Sequence, residues 1–223
     1  GLKVRTTLDL NIQDYAQASV AAEVASLKGY NVTNGAAMIA NPSTGEILAM
    51  VGSKDYFDSK IDGNVNVTLA QRQPGSSIKP INYLVGLIHG YTAATPFIDS
   101  KICYPNVGAQ LPYCPVNYDG KFHGLVSMRY ALGNSINIPA VKMLKLNGIE
   151  SMIATASAMG ITTFTQPDRY GLSLTLGGGE VTMLDMAQAY SVLANEGYRV
   201  NLTSILKVTD SKGKTLFEYK QPE

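Results

Sequence analysis

The order of its segments constrains this chain most. Short strand-like runs stand near its two ends and helix-like runs fill its middle, which argues an α+β fold. Residues 7–28 read as a helix, with Leu10, Ala16, Val20 and Val24 at helical spacing and Gly29 as its stop. Residues 36–39 and 46–51 are apolar runs around Asn41-Pro42-Ser43-Thr44-Gly45, a hairpin signal with a loop too long for a tight primed turn. A polar stretch covers 53–66. Residues 76–88 predict a buried helix ending at Gly90, and 92–124, rich in proline and carrying both cysteines, a long structured loop. A short helix over 125–132 and a turn at 134–137 follow. Pro139 suits the first position of a further helix, which Gly148 stops. Residues 149–159 are helical up to Gly160. Thr182 and Asp185 have capping-box spacing for a helix ending at Gly197. Residues 204–208 and 214–219 form a hairpin around Asp210-Ser211-Lys212-Gly213.

Composition excludes several function classes. The chain has 223 residues, 45% hydrophobic and 16% charged, enough to bury a core and without a disorder signature. A formal charge of +1, with no Lys/Arg run, gives no broad field for nucleic acid. No apolar stretch approaches the roughly 18 residues of a membrane span, and Gly1-Leu2-Lys3-Val4-Arg5 does not read as a signal peptide. Cys103 and Cys114 lie close together. A metal site would need more ligands than His89 and His123 provide. A disulfide closing a short loop is the favoured reading; it would contribute about 3 kcal/mol and imply an oxidising compartment. Two unpaired thiols are the plain alternative.

Ser76-Ser77-Ile78-Lys79 carries the most chemistry. Helix positions three apart share a face, so the Lys79 amine can reach the Ser76 hydroxyl. A serine is a poor nucleophile until a base takes its proton, and a desolvated lysine has the lowered pKa to do so. Ser76 would also sit at a helix N-terminus, where backbone N–H groups favour developing negative charge. Alone the motif is weak: a plain helix start reads the same, and Ser204-Ile205-Leu206-Lys207 repeats the spacing. That second copy lies in a predicted strand, where residues three apart point to opposite faces. Ser135-Ile136-Asn137 adds a second constellation in an inter-helix turn. Its hydroxyl could relay a proton, and its amide could hold a substrate carbonyl and the lysine. Equally, Ser135 and Asn137 could simply cap the following helix. A Ser-His-Asp triad would need His89 or His123, and neither is placed as a base. Glu180 and Asp185 read as helix-cap and solvated groups, and Tyr83, Tyr118 and Tyr130 as core or cleft wall.

Arg72-Gln73-Pro74-Gly75-Ser76-Ser77-Ile78-Lys79-Pro80 resembles the nucleophile segment of class A (bifunctional) penicillin-binding proteins. Gly133-Asn134-Ser135-Ile136-Asn137-Ile138-Pro139 resembles their second motif, and 37–52 and 172–197 resemble the same family. The resemblance implies the α+β penicillin-binding/β-lactamase-like serine acyltransferase fold, a helical subdomain plus an antiparallel sheet packed on helices, incomplete at the C-terminus. It divides residues 1–223 into an entry segment and helix (1–34), the first two sheet strands (35–52), a mostly helical region with both motifs (70–200) and a terminal hairpin (203–220). It implies a peptidoglycan D,D-transpeptidase with Ser76 as nucleophile, Lys79 as base, Ser135 as proton relay and Asn137 as partner of the substrate carbonyl and of Lys79. Ser76 and Asn137 would contact substrate. Stem peptide and β-lactams would be the partners, with no cofactor or metal, in an extracytoplasmic setting and with an anchor outside these residues.

The family's third motif, Lys-Thr-Gly, does not occur. Gly213-Lys214-Thr215-Leu216 lacks the last glycine, and Val208 stands where a phosphate loop needs glycine. The expectation is therefore that a second polypeptide supplies the Lys-Thr-Gly strand. Residues 1–223 alone would then leave an open sheet edge and be unstable. Two rivals remain: a serine β-lactamase, for which no Glu-x-x-Leu-Asn is found, and a non-catalytic β-lactam or peptidoglycan sensor.

Overall fold

The computed structural model describes residues 1–105 and 111–220. Its elements run in chain order β1 (Lys3–Thr6), α1 (Leu10–Ser26), β2 (Ala37–Ala40), β3 (Ile47–Val51), α2 (Lys79–Ile88), β4 (Pro96–Asp99), β5 (Gly124–Ser127), α3 (Met128–Gly133), α4 (Asn137–Asn147), α5 (Ile149–Met159), α6 (Met183–Ala194), β6 (Ile205–Thr209) and β7 (Thr215–Glu218). They fall into two compact units. The first joins Gly1–Arg72, Met159–Thr162 and the described part of Val181–Glu223, and the second joins Gln73–Ala158 and Thr163–Glu180.

In the first unit, α1 starts later than its apolar spacing predicts. The Asp9 carboxylate accepts from the N–H groups of Asn11 and Ile12, which sets the helix start at Leu10. Thr7 instead is buried and donates its hydroxyl to the Ile47 carbonyl. The face carrying Ile12, Ala16 and Val20 packs on Ala37, Ile39, Ala49 and Val51 of the β2–β3 hairpin. β3 buries Ile47, Ala49 and Val51, the period-2 signature of a half-covered strand. Part of its far edge is taken up by the start of α1. Asp9 N–H donates to the Leu48 carbonyl at 3.0 Å, and the Gln13 amide both accepts from Met50 N–H (2.8 Å) and donates to Met50 O (3.3 Å). The terminal hairpin also has a partner that the sequence reading missed: β1 pairs antiparallel with β6 in a β1–β6–β7 sheet.

Asp185 departs from its expected role. Thr182 does cap α6, its hydroxyl accepting from Asp185 N–H at 2.9 Å. The Asp185 carboxylate, however, is buried and accepts from Thr162 N–H and hydroxyl, each at 3.0 Å. A buried carboxylate persists only where donors replace water, so this one is a structural tie and not a solvated group.

The second unit holds α2 to α4, the β4–β5 pair and α5 up to Ala158. Its core gathers Tyr83, Phe97, Val126, Met128, Ala131, Ile136, Ala140 and Met143. The predicted loop over 92–124 is in part a sheet, since β4 and β5 pair from Pro96↔Ser127 to Asp99↔Gly124. Residues 124–127 are accordingly strand, and the helix predicted over 125–132 starts at Met128 with the Ser127 hydroxyl as its cap. Cys103 and Cys114 form a disulfide with Cα atoms 4.2 Å apart. Beside it, Tyr104 and Tyr113 exchange two backbone hydrogen bonds of 2.8 Å. The middle of that loop, 106–110, lies outside the described residues.

A buried polar network ties the helices of this unit together. The Asn82 amide donates to the Ala140 carbonyl and the Thr175 hydroxyl, and Asn147 Nδ2 donates to Asn82 O and Oδ1. Asn82 and Thr175 are fully buried. Polar groups so enclosed must be satisfied internally, which gives α2 and α4 one mutual register.

Candidate active site

Gly75, at φ +58°, opens a tight 3-10 turn, Gly75–Ile78, and the α-helix proper begins only at Lys79. This differs from one continuous helix over 76–88 and favours the chemistry more. The turn closes through Lys79 N–H donating to Ser76 O. In a 3-10 turn the side chains of residues i and i+3 eclipse, so Ser76 and Lys79 emerge along one line. Ser76 is exposed, whereas Lys79 is buried at 1% exposure. A glycine backs the turn: a Cβ on Gly177, at φ +92°, would stand 2.3 Å from Gly75 N and 2.5 Å from its Cα. Only a glycine permits that backbone approach.

The Lys79 amine is held by three oxygens. It donates to Ser135 O at 2.6 Å, to Asn137 Oδ1 at 2.7 Å and to Ser135 Oγ at 3.1 Å. Burial pushes its pKa from 10.5 down to about 8, because losing water penalises the cation. Ser76, three residues before it on the same turn, faces solvent.

The Ser135 turn follows from how α3 ends. Ser135 N–H donates to Leu132 O and Ile136 N–H to Ala131 O, the paired bonds of a Schellman motif. The residue in its left-handed position is Ser135, at φ +52°, where helices mostly place glycine. A side chain held there costs roughly 1 kcal/mol or more. In return, the serine's carbonyl and hydroxyl both meet the Lys79 amine.

The structure decides against helix capping by this motif. The N-cap of α4 is Ile136, which has no capping side chain, and Asn137 uses Oδ1 for Lys79 and Nδ2 for Val116 O at 2.8 Å. The α4 N–H groups of Asn137 and Ile138 instead donate to Asn117 Oδ1, at 3.0 and 3.3 Å. Asn117 escaped the sequence reading. Its signal was an accounting one: a helix start without a capping residue requires an acceptor from elsewhere.

Neither histidine stands beside the serine as a base. His89 is exposed at the end of α2. His123 lies between two carboxylates, with Nδ1 at 2.7 Å from Asp99 and Nε2 at 3.3 Å from Asp119. A cavity of about 240 Å³ opens beside Ser135, lined also by Tyr118, Asp119, His123 and Tyr130. Tyr130 is thus a cleft wall and Tyr83 a core residue. The repeated spacing at 204–207 serves the β6–β7 ladder, where Lys207 pairs with Glu218 at 2.9 Å.

Residues 35–223 match the penicillin binding protein transpeptidase domain. Penicillin-binding protein 4 of Bacillus subtilis (strain 168) is 35% identical over 98% of this chain, which spans 34% of that protein. Penicillin-binding protein 1A of Neisseria flavescens is 36% identical over 81% of the chain and 22% of its own length. The chain therefore spans about a third or less of the length of these relatives. Penicillin-Binding Protein 1A from Haemophilus influenzae superposes with a TM-score of 0.73 at 32% identity, over 84% of this chain and 27% of that one. PonA1 from Mycobacterium tuberculosis in complex with penicillin V has a TM-score of 0.80 at 22% identity, over 98% of this chain and 58% of that one, a likeness of fold. The α+β architecture is that of the penicillin-binding transpeptidases, and the chain belongs to the penicillin-binding protein transpeptidase domain family.

Proposed function

We propose that this domain is the acyl-transferring part of a peptidoglycan D,D-transpeptidase, with Ser76 as the acylated residue. One observation carries the reading: a buried lysine amine, held by Ser135 and Asn137, stands one tight turn from an exposed serine. The Ser76 oxygen attacks the penultimate D-Ala carbonyl of a stem peptide, and neutral Lys79 takes its proton. The tetrahedral oxyanion forms against backbone N–H groups at the start of the turn, that of Ser76 among them. The C–N bond then breaks. A proton passes from Lys79 through the Ser135 hydroxyl to the departing D-Ala amine. Asn137 holds Lys79 and offers its amide to the substrate carbonyl. An amine of a neighbouring strand then attacks the ester carbonyl, the bond to the Ser76 oxygen breaks, and Lys79 passes the amine's proton back to that oxygen as the cross-link forms. β-Lactams, amides held in a ring, would acylate the same oxygen and stay.

The Cys103–Cys114 disulfide supports work outside the cytoplasm, where such bonds persist. The substrate-carboxylate groups of a Lys-Thr-Gly strand have no counterpart in residues 1–223, and no role here rests on them. The test is a labelled penicillin on the full-length protein, with peptide mapping of the adduct. A persistent adduct at Ser76, together with D-Ala release from a stem pentapeptide, is expected. Labelling at Ser77 or Ser204, or no labelling at all, would overturn the reading.

A further inference from the structure

We propose that Asn117 is a positioning residue of this site, fixing the Ser135–Asn137 turn that receives the Lys79 amine, and that Asp99 in turn fixes Asn117. The inference rests on the acylation reading above for its kinetic consequence, but not for its geometry.

Asn117 is 6% exposed and every hydrogen-bonding position of its amide is used. Its oxygen accepts from Asn137 N–H at 3.0 Å and Ile138 N–H at 3.3 Å. Its nitrogen donates to Asp99 Oδ1 and Oδ2, at 3.0 and 2.9 Å, and to Lys121 O at 2.8 Å. A flipped amide would turn N–H groups against N–H groups and oxygen against a carboxylate, so one orientation is enforced. Asp99 is itself fully buried at the end of β4, and it also accepts from His123 N–H (2.8 Å) and His123 Nδ1 (2.7 Å). The neighbouring Val116 carbonyl accepts Asn137 Nδ2 at 2.8 Å. Adjacent residues therefore hold Asn137 by its main chain and by its side chain.

The consequence is directional. Asn137 can present Oδ1 to Lys79 only while its Nδ2 and its N–H are both engaged. The strained Ser135 conformation likewise needs its flanks fixed to persist. Removing Asn117 frees the start of α4, lets water replace the lost acceptor, and disperses the three oxygens around Lys79. None of these atoms touches a reacting bond, so the effect runs through Ser135 and Asn137.

The experiment combines acylation kinetics with a direct reading of Lys79. In the full-length protein, Asn117→Ala should lower the second-order rate of penicillin acylation by roughly 10- to 100-fold, the range for a supporting residue behind a functional ligand. Asn117→Asp should lower it similarly, because it sets two carboxylates face to face. Adding Asp99→Asn to Asn117→Asp restores one amide against one carboxylate and should recover part of the rate, the remainder being withheld because Lys121 O then faces a carboxylate oxygen. The Lys79 side-chain carbon resonance, followed against pH, should show its titration midpoint displaced from the wild-type value in Asn117→Ala, downward where the lost oxygens dominate and upward where water reaches the amine. Acylation within twofold of wild type in folded Asn117→Ala overturns the proposal, as does an absence of recovery in the folded double variant. Should Asn117→Ala fail to fold, the isosteric Asn117→Asp pair decides the matter. Should even the wild-type protein resist acylation, the functional reading fails instead. The Lys79 midpoint then still judges this proposal, and an unchanged midpoint refutes it.

Discussion

The Lys79 amine lies closer to the main-chain oxygen of Ser135, at 2.6 Å, than to its hydroxyl, at 3.1 Å. Both contacts depend on the left-handed backbone of Ser135, so strain and chemistry are joined in one residue. Ser135→Gly and Ser135→Ala both remove the hydroxyl, and both should acylate far more slowly than wild type. Only the glycine relieves the backbone. It should be the more stable of the two by about 1 kcal/mol, or roughly 2–4 °C in Tm for a protein of this size. Equal melting temperatures would show that the turn is unstrained.

If the neutral Lys79 amine accepts the Ser76 proton as proposed, acylation should rise with pH through about pH 8 and then level off, because burial holds the lysine pKa there. The stability effect has the same sign. Between about 8 and 10.5 the unfolded lysine binds a proton that the folded one has released, so folding becomes more favourable as pH rises through that window. Lys79→Met should abolish acylation and flatten this rise. Denaturant unfolding at several pH values reads the second effect, and an unchanged slope would contradict it.

Gly177→Ala should be costly out of proportion to one methyl group. The new Cβ would meet Gly75 N and Cα at 2.3 and 2.5 Å, backbone atoms that cannot rotate away, and φ is +92°. A loss of about 1–3 kcal/mol is expected, with slower acylation because the displaced turn carries Ser76. Gly171→Ala, where nothing lies within 4 Å of the new atom, serves as the comparison.

Thiol titration of the unreduced, denatured protein should find neither Cys103 nor Cys114 free. Cys103→Ser with Cys114→Ser should cost about 3 kcal/mol on the chain-entropy estimate. It should also slow acylation, since Cys114 stands two residues before Val116, whose carbonyl holds Asn137. Full acylation in the double variant would separate the disulfide from the site.

Much of the fold was legible because the signals are local. The period-2 burial of β3, the glycine stop after α4 and the cap at Thr182 each depend on residues a few positions apart, whereas α1 ends at Ser26 and Gly29 lies within a 3-10 turn, Lys28–Tyr30, that follows it. What escaped was pairing at a distance. β1 acquires its strand identity from β6, about two hundred residues on, and Leu125-Val126 reads as helix until β4 pairs with it. Asp185 looks like a solvated cap residue until Thr162 encloses it.

The same division runs through the site. The sequence pointed to Ser76, Lys79, Ser135 and Asn137 through the resemblance of the segments that carry them, and the structure brings the Lys79 amine against Ser135 and Asn137. Both motifs are short, and their meaning lies in covalent order. Tertiary structure decided how they are held. The 3-10 turn at Ser76, the left-handed Ser135 and the Asp99–Asn117 brace under α4 arise where segments far apart in the chain close over polar groups. Once water is excluded, each buried donor must find its acceptor within the protein. That requirement is met by packing, which no local pattern of residues records.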